Sequence, residues 1–228
     1  MTVDIVTGST SDHLVALEQA TDQKVEQYIH RQIVEPLLDL QQAATEAGFD
    51  LKICSAFRSF ERQLIIWNGK ASGSRAVMDE LGQPMDTASL DAWPKIQAIM
   101  RWSALPGASR HHWGTDFDIY DAKAMPKGYQ IKLTPDEVQG KGLFTPMHDW
   151  LDQYIQAGHT AFYRPYEFDT GGIAPERWHL SYRPLADQYA ALQTVDVIAL
   201  RLQQSKILLL DTVIEHLDEI YNRYILVN

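Results

Sequence analysis

The chain has 228 residues, 45% of them hydrophobic and 22% charged, with a formal net charge of −10. That length and balance suit one globular domain, or one with a sizeable extension, that buries a core unaided, and no apolar run approaches the roughly 20 residues of a membrane-spanning helix. The acidic balance argues against a nucleic-acid partner, whose phosphates need clustered Lys and Arg, and the lone Cys54 excludes an internal disulfide and is expected as a buried thiol.

In chain order, apolar residues at mostly helical spacing predict one helix from about Thr21 to Ala47, with a bend at Pro36 and a stop at Gly48. Residues 49–57 predict a strand, after which Ser59 can cap a short helix from Phe60 to about Asn68. Residues 71–83 suggest a surface loop, followed by a helix from about Thr87 to Trp102 with an interruption at Pro94. Strand character returns at 117–120. Thr134 or Thr145 can open a helix that covers Met147 to Ala157. Residues 162–168 and 178–182 predict two further strands, and the pattern is then helical from about Leu185 to Leu226.

The expected fold is therefore α+β. A small antiparallel sheet bearing the functional site would be surrounded by helices in residues 1–184, with a C-terminal helical extension at 185–228. That extension can pack on its own domain or form a homodimer surface.

The chemistry lies in Ser109-Arg110-His111-His112-Trp113-Gly114-Thr115-Asp116-Phe117-Asp118 and in Glu176-Arg177-Trp178-His179. Catalytic zinc usually takes three protein ligands and keeps one position for water, and His111, Asp118 and His179 meet that count. The same donors also suit iron or manganese. Gly114, without a Cβ, can bend the backbone so that His111 and Asp118 reach one ion. On an extended strand His179 and Ser181 share a face opposite Trp178 and Leu180, so His179 can look into a cleft while Trp178 anchors the core. Glu176 arrives just before it as a candidate base for an attacking water. Arg58, at the end of the predicted strand, is a candidate to stabilise an oxyanion.

The segment Ser55-Ala56-Phe57-Arg58-Ser59-Phe60-Glu61-Arg62-Gln63, the spaced Ser109, His111, Gly114 and Asp118, and Glu176-Arg177-Trp178-His179 together resemble the zinc D-alanyl-D-alanine carboxypeptidases and dipeptidases of bacterial cell-wall metabolism and vancomycin resistance. The resemblance covers roughly residues 50 to 183. It implies a Zn2+ cofactor held by His111, Asp118 and His179, Glu176 as catalytic base, Arg58 on the tetrahedral intermediate, and Ser109 and Gln63 near substrate. The implied substrate is a short, peptidoglycan-type peptide cleaved at its C-terminal bond.

One departure from the family pattern is Asp116, which stands where a small residue, most often Ala, is usual. It can orient a ligand or bind a substrate ammonium group, and it is placed here with the substrate contacts. His112 is set aside as structural, as are His13, His30, His148, His159 and His216. Residues 1–12 carry no basic segment followed by an apolar one, so the chain as written is expected in the cytoplasm, or in the periplasm if an export segment has been removed. Two alternatives remain open: a peptidase of cytoplasmic muropeptide recycling, and a noncatalytic binding module with a retained metal site.

Overall fold

The architecture, taken from a computed structural model that describes residues 2–17, 26–80 and 82–226, is α+β. Helix α1 (Thr2–Val6) precedes an antiparallel hairpin of β1 (Leu14–Leu17) and β2 (Gln27–His30), with Leu14 opposite His30. The helix expected from Thr21 thus begins later. Residues 27–30 are a strand, and 21–25 lie outside the described residues. The His30 ring accepts a hydrogen bond from the Gln32 backbone N–H and so caps the 3-10 turn Arg31–Ile33 that leads into α2 (Val34–Glu46). Pro36 falls in the first turn of α2, where a missing N–H removes no intrahelical bond.

Strand β3 (Leu51–Ser55) leads to α3 (Phe60–Ala71), which the Ser59 hydroxyl caps by accepting from the Arg62 N–H. The expected loop at 71–83 contributes β4 (Val77–Met78), paired with β5 (Pro84–Met85). Helix α4 spans Ala92–Met100, and Pro94 sits in its first turn rather than interrupting it. A 3-10 turn at Arg110–Trp113 then delivers β6 (Asp116–Asp121), followed by α5 (Pro135–Val138), α6 (Thr145–Gln156), β7 (Phe162–Tyr163) and β8 (His179–Tyr182). The C-terminal region is not one helix but α7 (Arg183–Leu192), α8 (Val195–Gln203), α9 (Leu210–Glu215) and α10 (Leu217–Ile220). Thr194 caps α8 afresh, and Leu209 takes a left-handed φ of 65° before α9.

Four strands form an antiparallel sheet in the order β3-β6-β8-β7. Its central strand, β6, is buried along its whole length, with Asp116 opposite Ser181 and Asp118 opposite His179. A register shift between Ile53 and Ser55 puts Ser55 opposite Asp118. Bulges of this kind re-aim side chains beside functional sites.

Three hydrophobic clusters hold these elements, the smallest built from Tyr120, Val138, Phe144 and Trp178. The first joins α2, β3, β6, α6 and α7 through residues that include Leu37, Ile53, Phe117, Ile119, Leu151 and Tyr189. The second joins α3 and α4 to α8, α9 and α10 through Trp67, Ile99, Met100, Ile198, Leu202 and Val213. Residues after 184 thus pack on the elements before them. Helix α7 packs with the sheet, whereas α8 to α10 pack against α3 and α4.

Candidate active site

The pairing of Asp118 with His179 across β6 and β8 brings two donors together, and the 3-10 turn before β6 adds His111. His111, Asp118 and His179 are all buried, and one donor atom from each lies within 4.8 Å of the others. Hydrogen bonds decide which ring nitrogen each histidine presents. His111 Nδ1 donates to the Ala56 carbonyl at 2.9 Å, which leaves Nε2 facing Asp118 Oδ2 at 3.5 Å. His179 has Nε2 against Asp116 Oδ1 at 3.1 Å and Nδ1 against Asp118 Oδ1 at 3.1 Å. Two imidazoles with fixed orientation and one carboxylate, converging at a cleft, fit a divalent ion.

Asp116 does not face the cleft. It has no exposed surface, and its partners are Arg110 Nε at 2.7 Å, Thr115 Oγ1 at 2.7 Å and His179 Nε2. The expected substrate contact is thereby corrected. A carboxylate sealed behind His179 can orient that ligand but cannot reach a peptide. Burial favours its neutral form, yet the Arg110 guanidinium and His179 outweigh this and hold its carboxyl down to about 2. Arg110 also donates to Ser181 Oγ and Tyr163 Oη and lies over the Trp113 ring. Sequence reasoning passed over Arg110 and left Ser181 unassigned, because their meeting depends on the β6–β8 register.

Glu176 stands 3.8 Å from His179 Nδ1, with 16% of its side chain exposed to the cleft. Burial raises its pKa to about 7; the charge of His179 opposes this and that of Asp118 adds to it. A carboxyl group so tuned can take up and release protons near neutrality.

Arg58 is held from several sides. Its guanidinium donates to Gln63 Oε1 at 2.9 Å and to Ser55 Oγ at 3.4 Å. Its backbone N–H donates to the His111 carbonyl, and its own carbonyl accepts from His112 Nδ1. The Gly107 N–H donates to His112 Nε2, so the imidazole set aside as structural is a strut that joins the Arg58 and His111 segments.

The cleft has a volume of about 280 Å³, and its walls include Arg58, Ser109, His111, Asp118, Glu176 and His179. Gln63 is fully buried and does not line it. Its amide nitrogen donates to the Ala104 carbonyl while its oxygen holds Arg58, so the expected contact with substrate becomes a positioning role. Ser109 does line the cleft. Lys70, Ser103 and Tyr166 also line it and were not anticipated. Lys70 had one usable signal, its place seven residues after Gln63 on the same helix. Another wall, Lys132 to Pro135, is shaped by the buried Glu137 carboxylate, which accepts from the Leu133 N–H and the Tyr129 hydroxyl.

Residues 26–185 match the VanY family, described as D-alanyl-D-alanine carboxypeptidase. Two uncharacterized proteins of Haemophilus influenzae are similar in sequence. One is 44% identical over 105 residues, 46% of this chain and 70% of that protein, and the other is 32% identical over 123 residues, 53% of this chain and 92% of that protein. Among solved structures, the LdcB LD-carboxypeptidase superposes with a TM-score of 0.52 at 22% identity, over 81% of this chain and 74% of that one. That likeness concerns the fold. A VanY D,D-pentapeptidase from a VanB-type vancomycin-resistance cassette, in complex with Zn(II), superposes with a TM-score of 0.49 at 23% identity, over 79% of this chain and 86% of that one.

Proposed function

The chain belongs to the D-alanyl-D-alanine carboxypeptidase family, and on that premise we propose that it is a zinc peptidase that removes the C-terminal residue from short peptidoglycan-type peptides. The observation that carries this reading is the convergence of His111 Nε2, Asp118 and His179 Nδ1 beside Glu176 in one cleft. Bound zinc supplies a Lewis acid that polarises a carbonyl and lowers the pKa of water to about 7.

The protein's own groups do the rest. Glu176 accepts a proton from the attacking water and returns it to the departing amine, a role suited to a carboxyl whose proton affinity burial raises. Arg58, fixed by Gln63 and Ser55, directs its guanidinium charge to the oxygen that becomes negative as the carbonyl is attacked. Ser109 is placed on the cleft wall to bond the peptide backbone. A dipeptidase must also bind a free ammonium near the scissile bond, and burial of Asp116 removes the carboxylate considered for that task. The carboxypeptidase reading itself rests on the family match.

The expected behaviour of Glu176→Ala is about one zinc per chain with kcat lowered by roughly 10²- to 10⁴-fold. Zinc analysis and hydrolysis of a panel of D,D-, L,D- and L,L-peptides measure both. Undiminished turnover in that variant sinks the mechanism, and a wild-type enzyme that cleaves no peptide in the panel sinks the function.

A further inference from the structure

Lys70 has no part in the chemistry above, yet it lines the same cleft. Seven residues is close to two full turns, so Gln63 and Lys70 lie on one face of α3, about 10 Å apart along its axis. That face rests on the segment after α4. The Gln63 amide donates to the Ala104 carbonyl at 2.7 Å, and the Lys70 ammonium donates to the Ser103 hydroxyl at 2.6 Å. Lys70 and Ser103 are both half-buried and border the cleft together with Arg58 and Glu176.

The ammonium is short of negative charge. Among the described residues no carboxylate lies within ion-pair distance of Nζ, and its one hydrogen-bond partner is the neutral Ser103 hydroxyl. Burial and the Arg58 guanidinium pull its pKa down to about 8, against the weaker opposing pull of Glu176. A partly desolvated cation facing a cleft calls for an anionic ligand. The side of the cleft formed by Lys70 and Ser103 therefore offers an anion a cation and a hydroxyl donor that the chemistry at the metal side does not use.

A carboxypeptidase substrate brings one anion of fixed position, the α-carboxylate one residue beyond the scissile bond, a reach of about 3.5 Å. We propose that Lys70 Nζ and Ser103 Oγ bind the C-terminal carboxylate of the peptide, and that this contact makes the cleft an exopeptidase site. The assignment rests on the peptidase reading and adds to it the group that recognises a free chain end.

The test compares a D-Ala-D-Ala peptide as free acid and as C-terminal amide, with zinc-loaded wild-type, Lys70→Met, Lys70→Arg and Ser103→Ala enzymes of matched zinc content and thermal stability. The wild type is expected to prefer the acid by roughly 10- to 100-fold in kcat/KM, the worth of a hydrogen bond to a charged group. Lys70→Met raises KM for the acid by that factor, leaves kcat nearly unchanged and cleaves acid and amide alike. Lys70→Arg recovers part of the preference, and Ser103→Ala weakens it by a smaller factor. Full preference retained in both Lys70→Met and Ser103→Ala overturns the proposal, as does a loss confined to kcat. If the wild type cleaves neither peptide, the peptidase reading fails, and binding of N-acetyl-D-alanine against its amide judges the anchor alone. Acid preference abolished by Lys70→Met upholds it, and equal binding of the two compounds overturns it.

Discussion

A carboxylate that is fully buried and ionised must have its charge met inside the protein, and Asp116 meets it with Arg110, Thr115 and His179. The contact to His179 Nε2 does more than neutralise. It holds a proton on that nitrogen, so that Nδ1, which faces Asp118 and Glu176, is the atom to bind a metal once its own contact with Asp118 is exchanged for the ion. Partners of this type commonly contribute 10- to 100-fold in metal affinity. Asp116→Ala is therefore expected to weaken zinc binding by roughly that factor, measured by competition with a chelator. It should also lower stability by about 3–5 kcal/mol, because Arg110 remains buried without its counter-charge. Zinc affinity that stays at the wild-type value would separate Asp116 from the metal and leave it only the ion pair with Arg110.

At the scale of elements, the turn before β6 and the β1–β2 hairpin depend on each other. Gly114 ends the 3-10 turn with φ +69°, and its carbonyl accepts from the His30 N–H at 2.8 Å. A Cβ there would stand 2.4 Å from Leu14 Cδ2 and 3.0 Å from the His30 nitrogen. Gly114→Ala thus combines a left-handed backbone with a clash, and a cost of about 1–3 kcal/mol is expected from the backbone alone. At about 2–4 °C per kcal/mol for a chain of this size, thermal unfolding should shift by several degrees. The sequence suggested that Gly114 lets His111 and Asp118 reach one ion; the structure adds that it lets the hairpin approach.

Such contacts mark what a sequence can and cannot disclose. His111, Asp118, Glu176 and His179 could be singled out because their combined motifs resemble a known family, and strand alternation set His179 on the face opposite Trp178. The strand at Gln27–His30 was not legible, because its stabilising partners, Gly114 and Tyr189, are far along the chain and the local apolar spacing also fits a helix. Asp116 and Gln63 were seen as residues of interest, but whether each faces substrate or another side chain depends on burial, which only the assembled sheet and α3 determine.

Across the whole molecule, the cleft draws residues from elements packed in different clusters, and Trp102, Leu133 and Trp178 of the third cluster line its wall. The proposed metal donors stand on β6, β8 and the preceding turn, backed by the first cluster, whereas Gln63 and Lys70 ride on α3, backed by the second, with Arg58 just before that helix. The connection between α8 and α9 grips α3 directly. Trp67 Nε1 donates to the Leu208 carbonyl at 3.0 Å, and Asn68 Nδ2 donates to the Lys206 carbonyl at 2.9 Å. Leu202 of α8 is fully buried in the second cluster and Leu180 of β8 in the first, and truncating either to Ala should cost about 2–5 kcal/mol. Their effects on the site should differ. Leu202→Ala loosens the support of α3, so KM and kcat are expected to suffer while zinc affinity holds. Leu180→Ala disturbs the strand that carries His179 and should weaken zinc binding as well. Zinc competition and steady-state kinetics on the same two proteins, below their unfolding temperatures, decide the matter. A loss of zinc affinity in Leu202→Ala equal to that in Leu180→Ala would mean that the two clusters respond as one body rather than holding separate halves of the site.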